Sequence, residues 1–454
     1  MTKIDPYFPQ KVIDIRDYGF SATASSATNS TAFSLAAADA GVIAGSVFLP
    51  EGDFPVDNIT IPRVAASSQV SFFSNPGRGA RLIKHTADGN GLMQLSTSAP
   101  SGYMSRLRFS NLTFQGYAGD SPYVLKGYDL ARCLFDFCQF LNGNVGVYLL
   151  GGIGNSLFKC NIDGNTTGLK VDKYTGGYDG YPNINTLDQC QITNSPSWGV
   201  DFDNGKMLTL RNCDIEGNGT SGDATTGGIR VGANIGSADP GSAAHGVVLD
   251  TCWIENNAGN AAMQFASGMN VVHNPYPAAN ANATYDMYVS GGTYILRNAL
   301  FINNKTNNLC ETVGVGTGNL IEMCTFVGGI TIDAAKTYRI GTTGLDNFPR
   351  LRTGKIQINN GGTTLDVYES TGANRIASFF TTGTPTAWLQ QVSGVGFART
   401  GVDGSGADVD YYLTAKGAGK IGFGVYTALG GETLTGYITI KDQGGTLRKI
   451  AVIS

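Results

Sequence analysis

Apolar positions recur along this chain in a short fixed frame and not with a helical period. LFDFCQFLNGNVGVYL (134–149), LFKCNIDGNTTGLKV (157–171), LDQCQITNSPSWGVDF (187–202), LRNCDIEGN (210–218), LDTCWIENN (249–257), LRNALFINN (296–304) and IEMCTFVGG (321–329) share one template. It runs aliphatic or aromatic residue, two variable residues, Cys, any residue, Ile or Phe, then a turn. Cys138, Cys160, Cys190, Cys213, Cys252 and Cys324 fill one slot, with Ala299 and Leu112 as substitutes. The first intervals, 138 to 160, 160 to 190 and 190 to 213, are 22, 30 and 23 residues, the length of one solenoid coil plus insertions.

A single coil cannot bury its own apolar face, so coils must stack by parallel strand pairing, about 4.8 Å apart, with like residues above like. The template therefore predicts a ladder of small, polarizable core thiols. A metal or disulfide site would need CxxC or Cys/His spacing, which is absent, and unpaired thiols fit folding in a reducing cytosol. After the turn each coil restarts with Gly and an alternating strand: GVYL (146–149), GLKV (168–171), GVDF (199–202), GIRV (228–231) and AAMQF (261–265). Alternation puts Val147, Leu169, Val200 and Ile229 inside and leaves Tyr148, Lys170, Asp201, Arg230 and Gln264 in an outward line.

Composition narrows the function classes. The hydrophobic share of 42% is enough for a large core, and 63 Gly imply many tight turns joining short strands. A net charge of −4 without a basic block gives no bulk attraction to nucleic acid or an anionic membrane. No stretch approaches the ~20 apolar residues of a membrane span, and MTKIDPYFPQ lacks a signal-peptide core, so synthesis in the cytoplasm is expected. A neutral or polar substrate fits this balance, and no cofactor or metal is expected.

VIDIRDYGF (12–20), NSTAFSLAAADAG (29–41) and SVFLPEGDF (46–54) together resemble the opening of pectate-lyase-like right-handed β-helix proteins, in particular bacteriophage tailspikes that act as capsular polysaccharide depolymerases. The resemblance implies a right-handed parallel β-helix with an Ala-rich helix capping the first coil. The residues read alike on their own: Asn29 or Ser30 can cap the helix, Gly41 can stop it, and the helix would shield an open sheet edge. AKGAGKIGFG and GYITIKDQGG lie in a region whose texture resembles the C-terminal modules of phage tail fibres and tailspikes, which trimerise or cap the fibre. Apart from that resemblance, it reads as a compact all-β unit that could equally bind a glycan. The expected organisation is an N-terminal segment 1–28, a β-helix over 29–345 with its capping helix at 29–41, and a small β module over 346–454. What the resemblance implies is a homotrimer in the virion tail, made in the host cytoplasm and acting outside the cell. Residues 1–11 would then contact other phage tail proteins, unless the chain is a shortened form.

Two groups of acids could cleave a glycan, since hydrolysis needs two carboxyl groups flanking the bond. Positions i and i+2 on a strand lie about 6.7 Å apart and neighbouring coils about 4.8 Å, so either stereochemical course is open. The first group is Asp201 and Asp203 in GVDFDNG with Asp172 one coil earlier, beside Lys170 and Arg230. Three adjacent acids repel, which raises one pKa; the plainer expectation is a solvated face offset by the two cations. The second is Asp214 and Glu216 around Ile215, with Trp253 and Glu255 in the next coil and Asp163 two coils before Glu216. An exposed indole suits the apolar face of a pyranose; the plainer expectation is a polar face with one half-buried Trp.

Two insertions, YTGGYDGYPNIN (174–185) and 219–246, would wall a groove and supply Tyr178, Tyr181 and His245 for substrate binding, whereas HNPYPAANANATY (273–285) reads as a plain loop. The expected activity is endo-glycosidic hydrolysis of a bacterial capsule, exopolysaccharide or O-antigen. Two rivals stand beside it: a polysaccharide lyase acting on a uronate through Lys170, Arg230, Tyr178 or His245, and a noncatalytic glycan-binding receptor fibre.

Overall fold

A computed structural model describes residues 11–340, apart from 62–68, 78, 97–101, 118, 175–181, 233–245, 304, 313–314 and 334–335. Beyond 340 it describes strand backbones, those of Thr343–Gly344 and of the hairpins given below. The chain divides into two compact units, Met1–Gly354 and Lys355–Ser454.

The first unit is a solenoid of three parallel sheets, with 13, 9 and 11 strands among the described residues. One coil shows how the template folds. Leu208–Arg211 lies in the first sheet, Asp214–Glu216 in the second and Gly227–Val231 in the third. Each strand pairs in parallel with its counterpart one coil away, so the register stacks Leu187, Leu210 and Leu249 in one interior column. Ile192, Ile215 and Ile254 form a second column, and Leu169, Val200 and Ile229 a third. All of these are buried. Towards the N-terminal end the first column becomes aromatic: Phe33 of the helix, Phe72, Phe109 and Phe135 stack at 5.1, 4.8 and 5.2 Å between ring centroids.

Two sharp corners per coil come from single residues in the left-handed region. Before the Cys slot stand Phe137, Lys159, Gln189, Asn212, Thr251, Asn298 and Met323, with φ between 49° and 55°. A non-glycine residue there costs roughly 1–2 kcal/mol, and regular bonding between coils offsets it: Asn212 N–H, for example, donates to Asp250 O at 2.9 Å. The thiol after the bend reaches one coil back, Cys160 to Phe135 O at 3.3 Å and Cys213 to Leu187 O at 3.6 Å. All eight cysteines are unpaired, and the six of the template are buried as expected. Burial also pushes the Cys133 thiol up to about 12.

The second corner is held by an asparagine ladder that the repeat alone did not reveal. Asn218 Nδ2 donates to Ile192 O and Asn257 Oδ1; Asn257 Nδ2 donates to Ile215 O and Asn280 Oδ1; Asn280 Nδ2 donates to Ile254 O. All three are fully buried, and each satisfies backbone groups that the bend would otherwise leave unpaired. The ladder explains the glycines at the start of the third-sheet strands that it adjoins, Gly199 and Gly228. A Cβ on Gly199 would come within 2.7 Å of Asn218 Nδ2.

The N-terminal helix is longer than expected, Ser26–Ile43, and packs over the first coil through Phe33, Ala36, Ala37 and Ala40. Its cap is Ser25, whose hydroxyl accepts from Thr28 N, and it ends at Ala44 in the left-handed region. Neither Asn29 nor Ser30 caps it. Asn29 is buried and bonds Ser21 and Pro55 instead, and Gly41 continues the helix as a buried position.

HNPYPAANANATY also departs from expectation. Tyr276–Ala278 is the last strand of the second sheet and pairs with Trp253–Glu255. The template fails to mark this coil because Asn274 takes the left-handed corner and Pro275 stands in the Cys slot. In the second unit the described strands form antiparallel hairpins: Thr364–Tyr368 with Arg375–Phe380, Ala387–Gly394 with Phe397–Gly404, Leu413–Thr414 with Lys420–Ile421, and Leu434–Lys441 with Leu447–Ile453.

Candidate functional site

The outer positions of the second sheet carry the acids that flank Ile215 and Ile254. Asp214 pairs with Trp253 and Glu216 with Glu255, which gives a two-by-two arrangement of side chains on adjacent strands. Trp253 is 44% exposed, and its ring lies against Tyr276 of the next coil, with centroids 4.3 Å apart. Its indole N–H donates to a Glu255 carboxylate oxygen, and Asn256 Nδ2 donates to Glu216 Oε1 at 3.3 Å. Asp163 stands two coils before Glu216, with Thr193 between, and accepts from the Thr193 hydroxyl and Asn194 Nδ2, each at 2.7 Å.

Asp214 differs from its neighbours. Its Oδ1 is buried without a hydrogen-bond partner. Burial raises its carboxyl, the charges of Glu216 and Glu255 add to that shift, and a hydrogen bond with Gln191 opposes it. One acid is therefore biased towards the protonated form beside two other carboxyl groups.

On the third sheet the outward line of Tyr148, Lys170, Asp201, Arg230 and Gln264 is in register, as the alternation predicts, and Lys126 precedes it. Asp201, however, is only 4% exposed, so this is not a solvated acid. Arg230 grips it with Nε and a terminal nitrogen at 2.9 and 2.8 Å and lies over the Trp198 ring at 5.4 Å. Burial raises the Asp201 carboxyl, opposed by Arg230 and Lys170. Asp172 Oδ1 accepts from Lys173 N and Asn204 Nδ2, each at 2.7 Å, and Asp203 is buried.

The sequence placed Tyr148 on this outward line without giving it a role. Its ring lies between Lys126 and Lys170, 5.4 and 5.5 Å from their ammonium groups, and its phenol is raised by burial and by the charge of Asp172. The signal was available, since Tyr148 is one register position from Lys170.

Tyr178, Tyr181 and His245 lie outside the described residues. Their segments lead from the third sheet to the first, from Asp172 to Asn185 and from Val231 to Val247. The described residues contain no cluster of metal-ligating side chains and no helix long and apolar enough to cross a membrane.

Residues 101–235 match the family described as right handed beta helix region. No curated protein sequence matches the chain. The A-module of the Azotobacter vinelandii mannuronan C-5 epimerase AlgE4 is similar in structure, with a TM-score of 0.52 at 12% identity, covering 74% of this chain and 95% of the module. The tailspike gp42 of Acinetobacter phage vb_AbaP_AS12 aligns over 98% of this chain and 87% of its own, with a TM-score of 0.47 and 13% identity. The alginate lyase of Paenibacillus sp. str. FPU-7 aligns over 73% and 97%, with a TM-score of 0.41 and 12% identity. At 12% identity it is the fold that the epimerase module shares with this chain. With its parallel sheets, its coil-length repeat and the family match over its central coils, the first unit of this chain folds as a right-handed parallel β-helix.

Proposed function

We propose that this protein is a phage tailspike that binds a bacterial surface polysaccharide and hydrolyses it within the chain at the second-sheet carboxyl groups. The observation that carries this reading is Asp214: a carboxyl raised by burial, one oxygen unpartnered, next to Glu216 and Glu255 and beside an exposed Trp253–Tyr276 platform. In this reading the platform receives a pyranose face. Asp214, biased towards its neutral form, protonates the leaving oxygen. Glu216 activates water or attacks the anomeric carbon, and Glu255, held by the Trp253 indole, orients the pair. The tail location, the homotrimer and the N-terminal contacts to other tail proteins belong to the same proposal. They are supported by the likeness of the opening coil and of the C-terminal segments to tailspikes.

The test is digestion of a panel of purified bacterial capsular and O-antigen polysaccharides, with mass spectrometry of the fragments. Uptake of one oxygen-18 from labelled water per cleaved bond is expected. A bound polymer that is never shortened would make the protein a receptor-binding fibre without catalysis.

One observation favours a second reading. Lys126 and Lys170 on either side of Tyr148, with Arg230 in the same line, are suited to neutralising a uronate carboxylate, which proton abstraction beside it requires. Fragments with ultraviolet-absorbing unsaturated ends and no oxygen-18 would establish elimination there and overturn hydrolysis.

A further inference from the structure

On the outer face of the second sheet, near its N-terminal end, lies an open groove of about 820 Å³ lined by Glu51, Asp53, Arg81, Thr113, Gln139 and Leu141. Gly52 and Gly79 form part of its wall, both with positive φ. A Cβ on Gly79 would in addition come within 2.4 Å of Asn111 O.

The lining matches a glycan. Carboxylates accept from vicinal hydroxyls, the guanidinium and the amide donate in fixed planes, and Leu141 offers one apolar contact. Arg81 donates through Nε to Asp53 Oδ1 at 2.9 Å, and its terminal nitrogen pairs with the other oxygen. The pair is open to solvent, with side chains 44% and 59% exposed, so it adds little to folding. It fixes two planar polar groups at the groove wall.

Register connects this groove to the acids. Arg81, Thr113, Gln139, Asn161, Gln191, Asp214 and Trp253 occupy one column of outward positions, each opposite the next. From Arg81 to Asp214 is five coil steps of ~4.8 Å, about 24 Å. The positions between are hydroxyls and amides, without a charge or a bulky side chain in the column. The rise per coil is comparable to the length of one pyranose, so a polymer lying along the sheet meets a hydrogen-bonding side chain at nearly every sugar.

Resting on the hydrolysis reading for what happens at Asp214, we infer that the Asp53–Arg81–Gln139 groove is a distal binding site for the same polysaccharide, several sugars from the cleaved bond. It retains the polymer and favours long chains over short fragments. The experiment uses the full chain and the polysaccharide panel, with the variants Arg81→Ala, Gln139→Ala and the groove-filling Thr113→Trp. Polymer binding is read by surface plasmon resonance and cleavage by reducing ends. A size ladder of the protein's own digestion products supplies short fragments.

Arg81→Ala should weaken polymer binding and raise its KM about tenfold or more, the scale of a lost charge-assisted contact. Turnover of the shortest cleaved fragment should stay at the wild-type rate, and Thr113→Trp should reproduce the effect without removing a charge. Unchanged polymer affinity in all three variants, each with a wild-type melting profile, overturns the distal site. A polymer bound through the groove but never cleaved supports the site and overturns hydrolysis. A panel that is neither bound nor cleaved overturns both.

Discussion

The second and third sheets present acids on neighbouring coils, yet the two groups are built differently. On the third sheet Asp201 is buried and gripped at both oxygens by Arg230, which itself lies on Trp198. On the second sheet Glu216 accepts from Asn256 and Glu255 from the Trp253 indole, and the platform beside them is open. A buried acid with a bidentate guanidinium serves packing, and its charge is fully engaged. A partly exposed acid such as Asp214, raised by burial and by neighbouring carboxylates, is poised for proton transfer. Two clusters that look equivalent in sequence thus separate by what covers them.

The largest expected effect breaks the third-sheet ladder. Arg230→Met leaves the Asp201 carboxyl buried and unpaired and should cost about 3–5 kcal/mol, read as a lowered urea midpoint. Glu255→Gln on the open face should change that midpoint by less than about 1 kcal/mol. Equal losses at both positions would remove the contrast.

Next comes activity. Glu216→Gln should lower polymer cleavage by at least ~100-fold, the scale of lost acid–base catalysis, and leave polymer binding intact. Asp201→Asn, if it folds, should retain most cleavage. The reverse outcome would move the chemistry to Tyr148 and Lys170.

The pH profile sharpens the assignment of the acid. A raised Asp214 must hold its proton to act, so kcat/KM should fall as pH rises through its elevated pKa, and the alkaline limb reports it. In Glu255→Gln one of the repelling charges is gone. The limb should then move to lower pH, because the carboxyl ionises more readily.

A further expected effect concerns the scaffold that both faces share. Asn257→Ala removes donors to Ile215 O and Asn280 Oδ1 and an acceptor for Asn218 N. A cost of about 2 kcal/mol is expected from the buried groups left unpaired, measured by urea denaturation. Cleavage rate per folded molecule should change little.

The interior was largely legible in the sequence. The Cys slot, the Leu, Ile and Val columns and the outward line from Tyr148 to Gln264 follow from a repeat whose strands alternate, because pairing in parallel register copies each position onto the next coil. Reading by template also set its limits. Asn218, Asn257 and Asn280 fall in the turns, where the frame carries no apolar signal, so their ladder went unseen. Tyr276 was hidden because Pro275 replaces the expected thiol.

What the sequence determined by itself is therefore a stacked coil, its core and which residues face outward, since these depend on local alternation and a repeat length. What only the tertiary structure decided is which outward acids stay open. Asp201 is closed by a guanidinium from the next coil and Asp214 is half-covered beside Glu255, and both facts depend on contacts 29 and about 40 residues away in sequence. Burial and partner charge are properties of neighbouring coils, and they separate a packing ion pair from a candidate catalytic acid.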